Sequence, residues 1–115
     1  MGEERRFIPY ETIDYVYTIN QALQKVFEAR AAVRDSISFE RYLRAVEALY
    51  VILIPKLRPK KAEELLKKAR ERDSEFGYYT LDNLESLDKA VELIIDVLDK
   101  NRLLIKGEWY EEEHL

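Results

Sequence analysis

Apolar residues recur three and four positions apart along most of this chain, the spacing that places them on one face of an α-helix. Prolines, a glycine and clusters of capping side chains divide this pattern into segments. We predict helices over approximately residues 9–34, 38–56, 59–73 and 80–101. Because the connections are short, consecutive helices are expected to run antiparallel. The predicted fold is an all-α, small four-helix bundle, up-and-down or a close variant, in a single domain spanning residues 1–115.

The helix boundaries follow from local chemistry. Pro9 suits a first helical position, where its missing N–H group would have no partner. Asp35, Ser36 and Ser38 offer side-chain oxygens to the free N–H groups that open the second helix. Thr80 is placed to cap the fourth helix. Whether residues 103–106 continue that helix or are extended is left open.

The first helix has a wide apolar stripe that we expect to be buried. Its members are Ile13, Val16, Ile19, Leu23, Val26, Phe27 and Val33. Asn20 interrupts this stripe. Either it is a polar residue at a seam that sets helix register, or it lies in water at the edge of the stripe.

The second helix is apolar on all sides between Ala48 and Ile54. Such a helix is either the central helix of the monomer or has one side in an oligomer interface. The chain also has eight tyrosines, a residue that suits interfaces that are part apolar and part wet. We predict an interaction surface at the end of the second helix, formed by Tyr50, Val51, Ile52 and Ile54.

The segment from Lys56 to Arg72 is rich in basic residues within an acidic protein. A nucleic-acid-binding interpretation assigns phosphate contacts to Lys56, Arg58, Lys60, Lys61, Lys67 and Lys68. The alternative is that these charges pair within one solvated helix. Glu63 and Glu64 lie four positions before Lys67 and Lys68, the spacing of helical ion pairs.

Several chemistries are excluded by what the sequence lacks. It has no cysteine, so disulfides, thiolate zinc sites and cysteine nucleophiles are impossible. The single histidine, His114, lies in the tail, and the three glycines are too far apart for a phosphate-binding loop. Pairs of carboxylates at helical spacing leave a magnesium-dependent nucleotide hydrolase as a minor alternative. These carboxylates are Glu85, Asp88, Glu92 and Asp96.

We therefore predict a non-catalytic helical protein–protein interaction or assembly module, either a homo-oligomer or a small subunit of a larger complex. Nucleic-acid binding through residues 56–72 is the alternative. No catalytic residue, metal or cofactor is expected, nor a membrane segment, since the longest apolar run is far too short to span a bilayer. We expect a cytoplasmic protein.

Two further expectations concern the source and the tail. Scarce side-chain amides and a single methionine, with abundant charge of both signs, indicate a thermophilic source. The tail, residues 108–115, is expected to be mobile beyond Trp109 and Tyr110. These aromatic residues either latch onto the bundle or dock on a basic partner.

Overall fold

The computed structural model describes residues 10–71 and 81–105, with side chains described from residue 13 onward. This part of the chain forms four α-helices and contains no strand. They are α1 (Tyr10–Ala31), α2 (Ser36–Leu53), α3 (Lys60–Arg70) and α4 (Leu81–Lys100). Each predicted boundary lies within three residues of the observed one. The predicted all-α four-helix bundle is confirmed.

A reciprocal capping box opens α2. The Ser38 backbone N–H donates to Asp35 Oδ1 at 2.8 Å, and the Asp35 backbone N–H donates to Ser38 Oγ at 2.9 Å. Two N–H groups that the helix itself leaves without a partner are thereby satisfied. The hydrogen bonds from Ser38 also hold the pKa of the Asp35 carboxyl below its usual value. The predicted cap is confirmed, and the helix begins two residues earlier than expected.

The second helix occupies the centre of the bundle, because it packs against α1, α3 and α4. Its buried hydrophobic side chains recur at helical spacing and form the middle of the core. They are Phe39, Tyr42, Leu43, Val46, Leu49, Tyr50 and Leu53. The helix is therefore central in the monomer, and an oligomer interface on one of its sides stays a prediction.

Asn83, near the start of α4, connects α4 to the end of α3. Its side-chain Nδ2 lies within hydrogen-bonding distance of the backbone oxygens of Lys68, Ala69 and Glu71, at 2.7 to 3.2 Å. These oxygens lie at the C-terminal end of α3, where carbonyl groups have no partner inside the helix. The contact places the end of α3 beside the start of α4, so the two helices are antiparallel.

The apolar stripe of α1 is only partly buried, contrary to the prediction. Ile19, Leu23 and Val26 lie in the core, but the side chains of Ile13 and Phe27 are 53% and 49% exposed. The reason is the position of α4. No Cα atom of α1 lies within 8 Å of a Cα atom of α4. The fourth helix therefore leaves one side of the α1 stripe uncovered.

A Schellman motif ends α4. The N–H of Leu103 donates to the Leu98 carbonyl at 2.9 Å and the N–H of Arg102 donates to the Asp99 carbonyl at 3.0 Å. This geometry needs the residue before Leu103 to be in the left-handed region, and that residue, Arg102, has φ 59°. The chain therefore turns out of the helix, and residues 103–105 form neither helix nor strand.

Replacing Arg102 with glycine is expected to stabilise the fold. A side chain with a Cβ atom is strained in the left-handed region, and glycine removes that strain, so we expect a gain of about 0.5–1 kcal/mol in the free energy of unfolding. Urea denaturation of R102G and R102A measures the effect. Alanine keeps the strain and serves as the control; equal stability of the two variants would contradict this account of the turn.

Candidate functional site

An open groove of about 1030 Å³ lies along the uncovered side of α1. The last turns of α4 and residues 103–105, which we call the strap, form its other side. The lining residues are Tyr17, Asn20, Gln21, Leu23, Gln24, Lys25, Phe27, Glu28, Ile95, Leu104 and Ile105. In the described residues, side-chain hydrogen bonds join α1 to α4 and to the strap at two places, near Arg30 and near Asn20. We call these two hydrogen-bonded contacts the ties.

The groove combines apolar side chains with uncharged hydrogen-bonding groups and with two charged residues, Lys25 and Glu28. Tyr17, Phe27 and Ile105 expose roughly half of their surface, whereas Leu23 is buried at the groove. The Gln21 side-chain amide donates to Tyr17 Oη at 2.8 Å, which holds two of the lining side chains together along α1. A groove with both apolar and polar lining along one helix is suited to an amphipathic helix.

The first tie joins three helices through Asp88. The guanidinium group of Arg30 donates two hydrogen bonds to its carboxylate, at 2.8 and 3.1 Å. The hydroxyl of Tyr42, from the central helix, donates to Asp88 Oδ1 at 2.6 Å. Arg30 also lies over the Tyr42 ring, 5.8 Å from its centroid. One carboxylate therefore connects α1, α2 and α4.

The Tyr42 hydroxyl is a buried hydrogen-bond donor. Desolvation, followed by the hydrogen bond to Asp88, raises the pKa of Tyr42 far above its ordinary value. The residue is 1% exposed, so the phenol acts as a permanent donor to Asp88. This cluster holds the helices together.

The second tie is the side-chain amide of Asn20. Its Nδ2 donates to the carbonyl oxygens of Val16 at 2.7 Å and Leu103 at 2.8 Å, and its Oδ1 accepts from the Ile105 N–H at 3.0 Å. Neither sequence-based interpretation of Asn20 anticipated this role. The residue does not sit in a helix–helix seam or free in water; it fastens the strap to α1.

Only some of the residues predicted to form an interaction surface at the end of α2 are exposed. Tyr50 is 6% exposed and its hydroxyl donates to Glu63 Oε1 at 2.9 Å, so in the monomer its side chain lies in the core and not at the surface. The tyrosine belongs to the core because α3 supplies a carboxylate for its polar end. Ile52 is half-buried, whereas Val51 is 62% exposed and Ile54 is also exposed.

In the described residues, the basic segment divides into residues with and without an ion pair. Arg58 donates to both carboxylate oxygens of Glu63, which lowers the pKa of that carboxyl, and Arg70 pairs with Glu47. Lys56 lies over the ring of Tyr15, 4.8 Å from its centroid. All of these basic residues are exposed, and Lys60, Lys61, Lys67 and Lys68 are exposed without an ion pair in the described residues.

The intrahelical pairs proposed for α3 do not form. Glu63 turns to Arg58 instead of Lys67, and no ion pair joins Glu64 to Lys68 in the described residues. The four lysines therefore remain solvated. Nucleic-acid binding through this face stays a prediction.

The acidic residues of α4 do not converge on one point. Asp88 is held by Arg30 and Tyr42, and Asp96 pairs with Lys100 at 3.0 Å. Within residues 13–71 and 81–105, no three carboxylate or histidine side chains are grouped so that they could hold a metal ion. His114 lies outside the described residues, as do Trp109, Tyr110 and the rest of the tail.

Comparison with known proteins gives no functional lead: no protein-family model, no curated protein and no solved structure matches the chain. None of the helices in the described residues is both long and apolar enough to span a membrane.

Sequence patterns missed the groove although one signal for it was present. Tyr17, Gln24, Ile95 and Leu104 were not predicted as site residues. The stripe on α1 is wider than a single neighbouring helix covers, since Phe27 is adjacent to Val26. A stripe of that width indicates either a second neighbour within the monomer or a partner outside it.

Proposed function

We propose that this chain is a non-catalytic, self-associating interaction module, and that the groove between α1 and α4 receives α1 of a second copy. The supporting observation is the exposed apolar side of α1 within a preformed groove. Large exposed apolar patches usually mark association sites. A groove of this shape takes an amphipathic helix, and α1 itself is such a helix.

The exposed positions of α1 have the spacing of a helix-pairing stripe. Ile13, Tyr17, Gln24 and Phe27 follow one another at intervals of four, seven and three residues, which keeps them on one face. Two copies related by a two-fold axis present the same face to each other. In an antiparallel pair centred near Asn20, Ile13 of one copy lies opposite Phe27 of the second copy.

The charges beside this stripe are self-complementary in the same arrangement. Asp14 and Lys25 are both exposed, and neither forms an ion pair within the described residues. They lie almost symmetrically about the same centre, so each Asp14 approaches Lys25 of the second copy. In a parallel arrangement Asp14 and Lys25 of the two copies would lie eleven residues apart along the pair, so these attractive contacts would be lost.

Sedimentation equilibrium tests self-association and the arrangement together. We expect the wild-type chain to form a dimer in the micromolar range, and D14K to weaken it about tenfold, because two attractive pairs become repulsive. K25D should have a similar effect, and the double variant D14K/K25D should restore wild-type affinity. A strictly monomeric wild-type chain would refute the proposal, and failure of the double variant to recover would refute the antiparallel arrangement.

A further inference from the structure

The strap is fastened to α1 by one side chain. Asn20 supplies both a donor and an acceptor, to Leu103 and Ile105, across more than eighty residues of sequence. An asparagine amide carries these two groups side by side and can pair with an extended backbone on both. In the described residues, these are the hydrogen bonds that connect the strap backbone to α1.

The strap forms one wall of the groove. Leu104 and Ile105 both line it, and neither residue is fully buried. The Schellman turn at Leu103 fixes where the strap leaves α4, and the partly buried side chains of Leu103 and Leu104 pack against the core. A short segment with partly exposed side chains and few hydrogen bonds opens at a lower free-energy cost than the packed helices do.

We propose that Asn20 is the positioning residue of the groove, and that the strap exists in a docked state that completes the binding wall and an undocked state that removes it. This inference rests on the proposed function of the groove. A second copy that contacts Ile105 binds the docked state more tightly, so docking and self-association favour each other. Strap release is then a way to lower the affinity of the module without unfolding the bundle.

The chemistry of the amide distinguishes this role from simple packing. N20D keeps the size of the side chain and the acceptor for the Ile105 N–H, but it replaces the donor to Leu103 with an oxygen that repels the carbonyl. N20A removes both groups. Gln21 provides a matched control, because it is the adjacent lining amide and its hydrogen bond is to Tyr17 within α1.

Amide hydrogen exchange followed by NMR, at a concentration where each protein is monomeric, tests the strap directly. We expect protection of the Ile105 amide to fall at least about tenfold in N20A and N20D, with Q21A unchanged and amides in the middle of α4 unaffected. The same two variants should self-associate more weakly than the wild-type chain. Unchanged Ile105 protection in N20A would overturn the proposal.

A second variant approaches the contact from the strap. I105P deletes the N–H donor without altering α1 and should accelerate exchange of the Asn20 side-chain amide, which checks the contact even if changes at Asn20 disturb the bundle.

The exchange results also separate the two proposals. If the wild-type chain is monomeric but Asn20 controls strap protection, the groove's proposed function fails while the docking role stands, and the coupling to self-association is refuted.

Discussion

D88A is expected to lower the free energy of unfolding by about 2–3 kcal/mol, because one carboxylate serves three helices. Removing it leaves the buried Tyr42 hydroxyl without an acceptor, and a hydrogen bond to a charged group contributes roughly 1.5–3 kcal/mol. The Arg30 pair contributes less, since both side chains are a third or more exposed. Urea denaturation followed by circular dichroism measures the change.

E85A is the matched control for this experiment. Glu85 lies one turn earlier on α4 and is exposed, so its removal should change stability by no more than about 0.5 kcal/mol. Y42F should reproduce a large part of the loss in D88A, because it deletes the same hydrogen bond from the other side. If D88A were no less stable than E85A, the three-helix tie would not contribute to the stability of the bundle.

F27E is expected to abolish self-association while leaving the monomer folded. In the proposed dimer two Phe27 side chains enter apolar grooves, and a carboxylate there loses hydration without gaining a partner. We expect the dissociation constant to rise at least about a hundredfold, which corresponds to roughly 3 kcal/mol for the two sites. The Phe27 side chain is half exposed in the monomer, so the unfolding transition should change little.

Two other exposed apolar residues serve as controls for F27E. V51E alters the surface predicted from the sequence at the end of α2, and I37E alters an exposed position at the start of α2. Both should leave self-association intact. If V51E dissociated the dimer and F27E did not, the interface would lie on α2 and the groove proposal would be wrong.

The helices could be predicted because the features that determine them lie close together in the sequence. Apolar periodicity located all four segments, and the Asp35–Ser38 pair marked the start of α2 directly. Periodicity shows which face of a helix is apolar, but it does not show whether a neighbour covers that face. The uncovered side of α1 depends on where α4 packs, so the exposure of Phe27 could not be read from the sequence.

The polar ties were unpredictable for a related reason: their partners are distant in sequence. Asp88 appeared to be a possible magnesium ligand because of its spacing from Glu85, yet it binds Arg30 and Tyr42. Asn20 appeared only to interrupt the apolar stripe of α1, yet its side chain forms hydrogen bonds with the strap. Tyrosine suggested a surface at position 50, where a carboxylate from α3 allows burial.

Dipolar electron paramagnetic resonance on spin-labelled protein tests the central claim, that α1 pairs with α1 of a second copy. The chain has no cysteine, so Q21C and V51C each carry one label. Gln21 lies near the centre of the proposed pair, and packed helix axes are roughly 8–10 Å apart, so its labels should be within about 20 Å of each other. Labels at position 51 should be farther apart. A short distance at position 51 with a long one at position 21 would contradict the account.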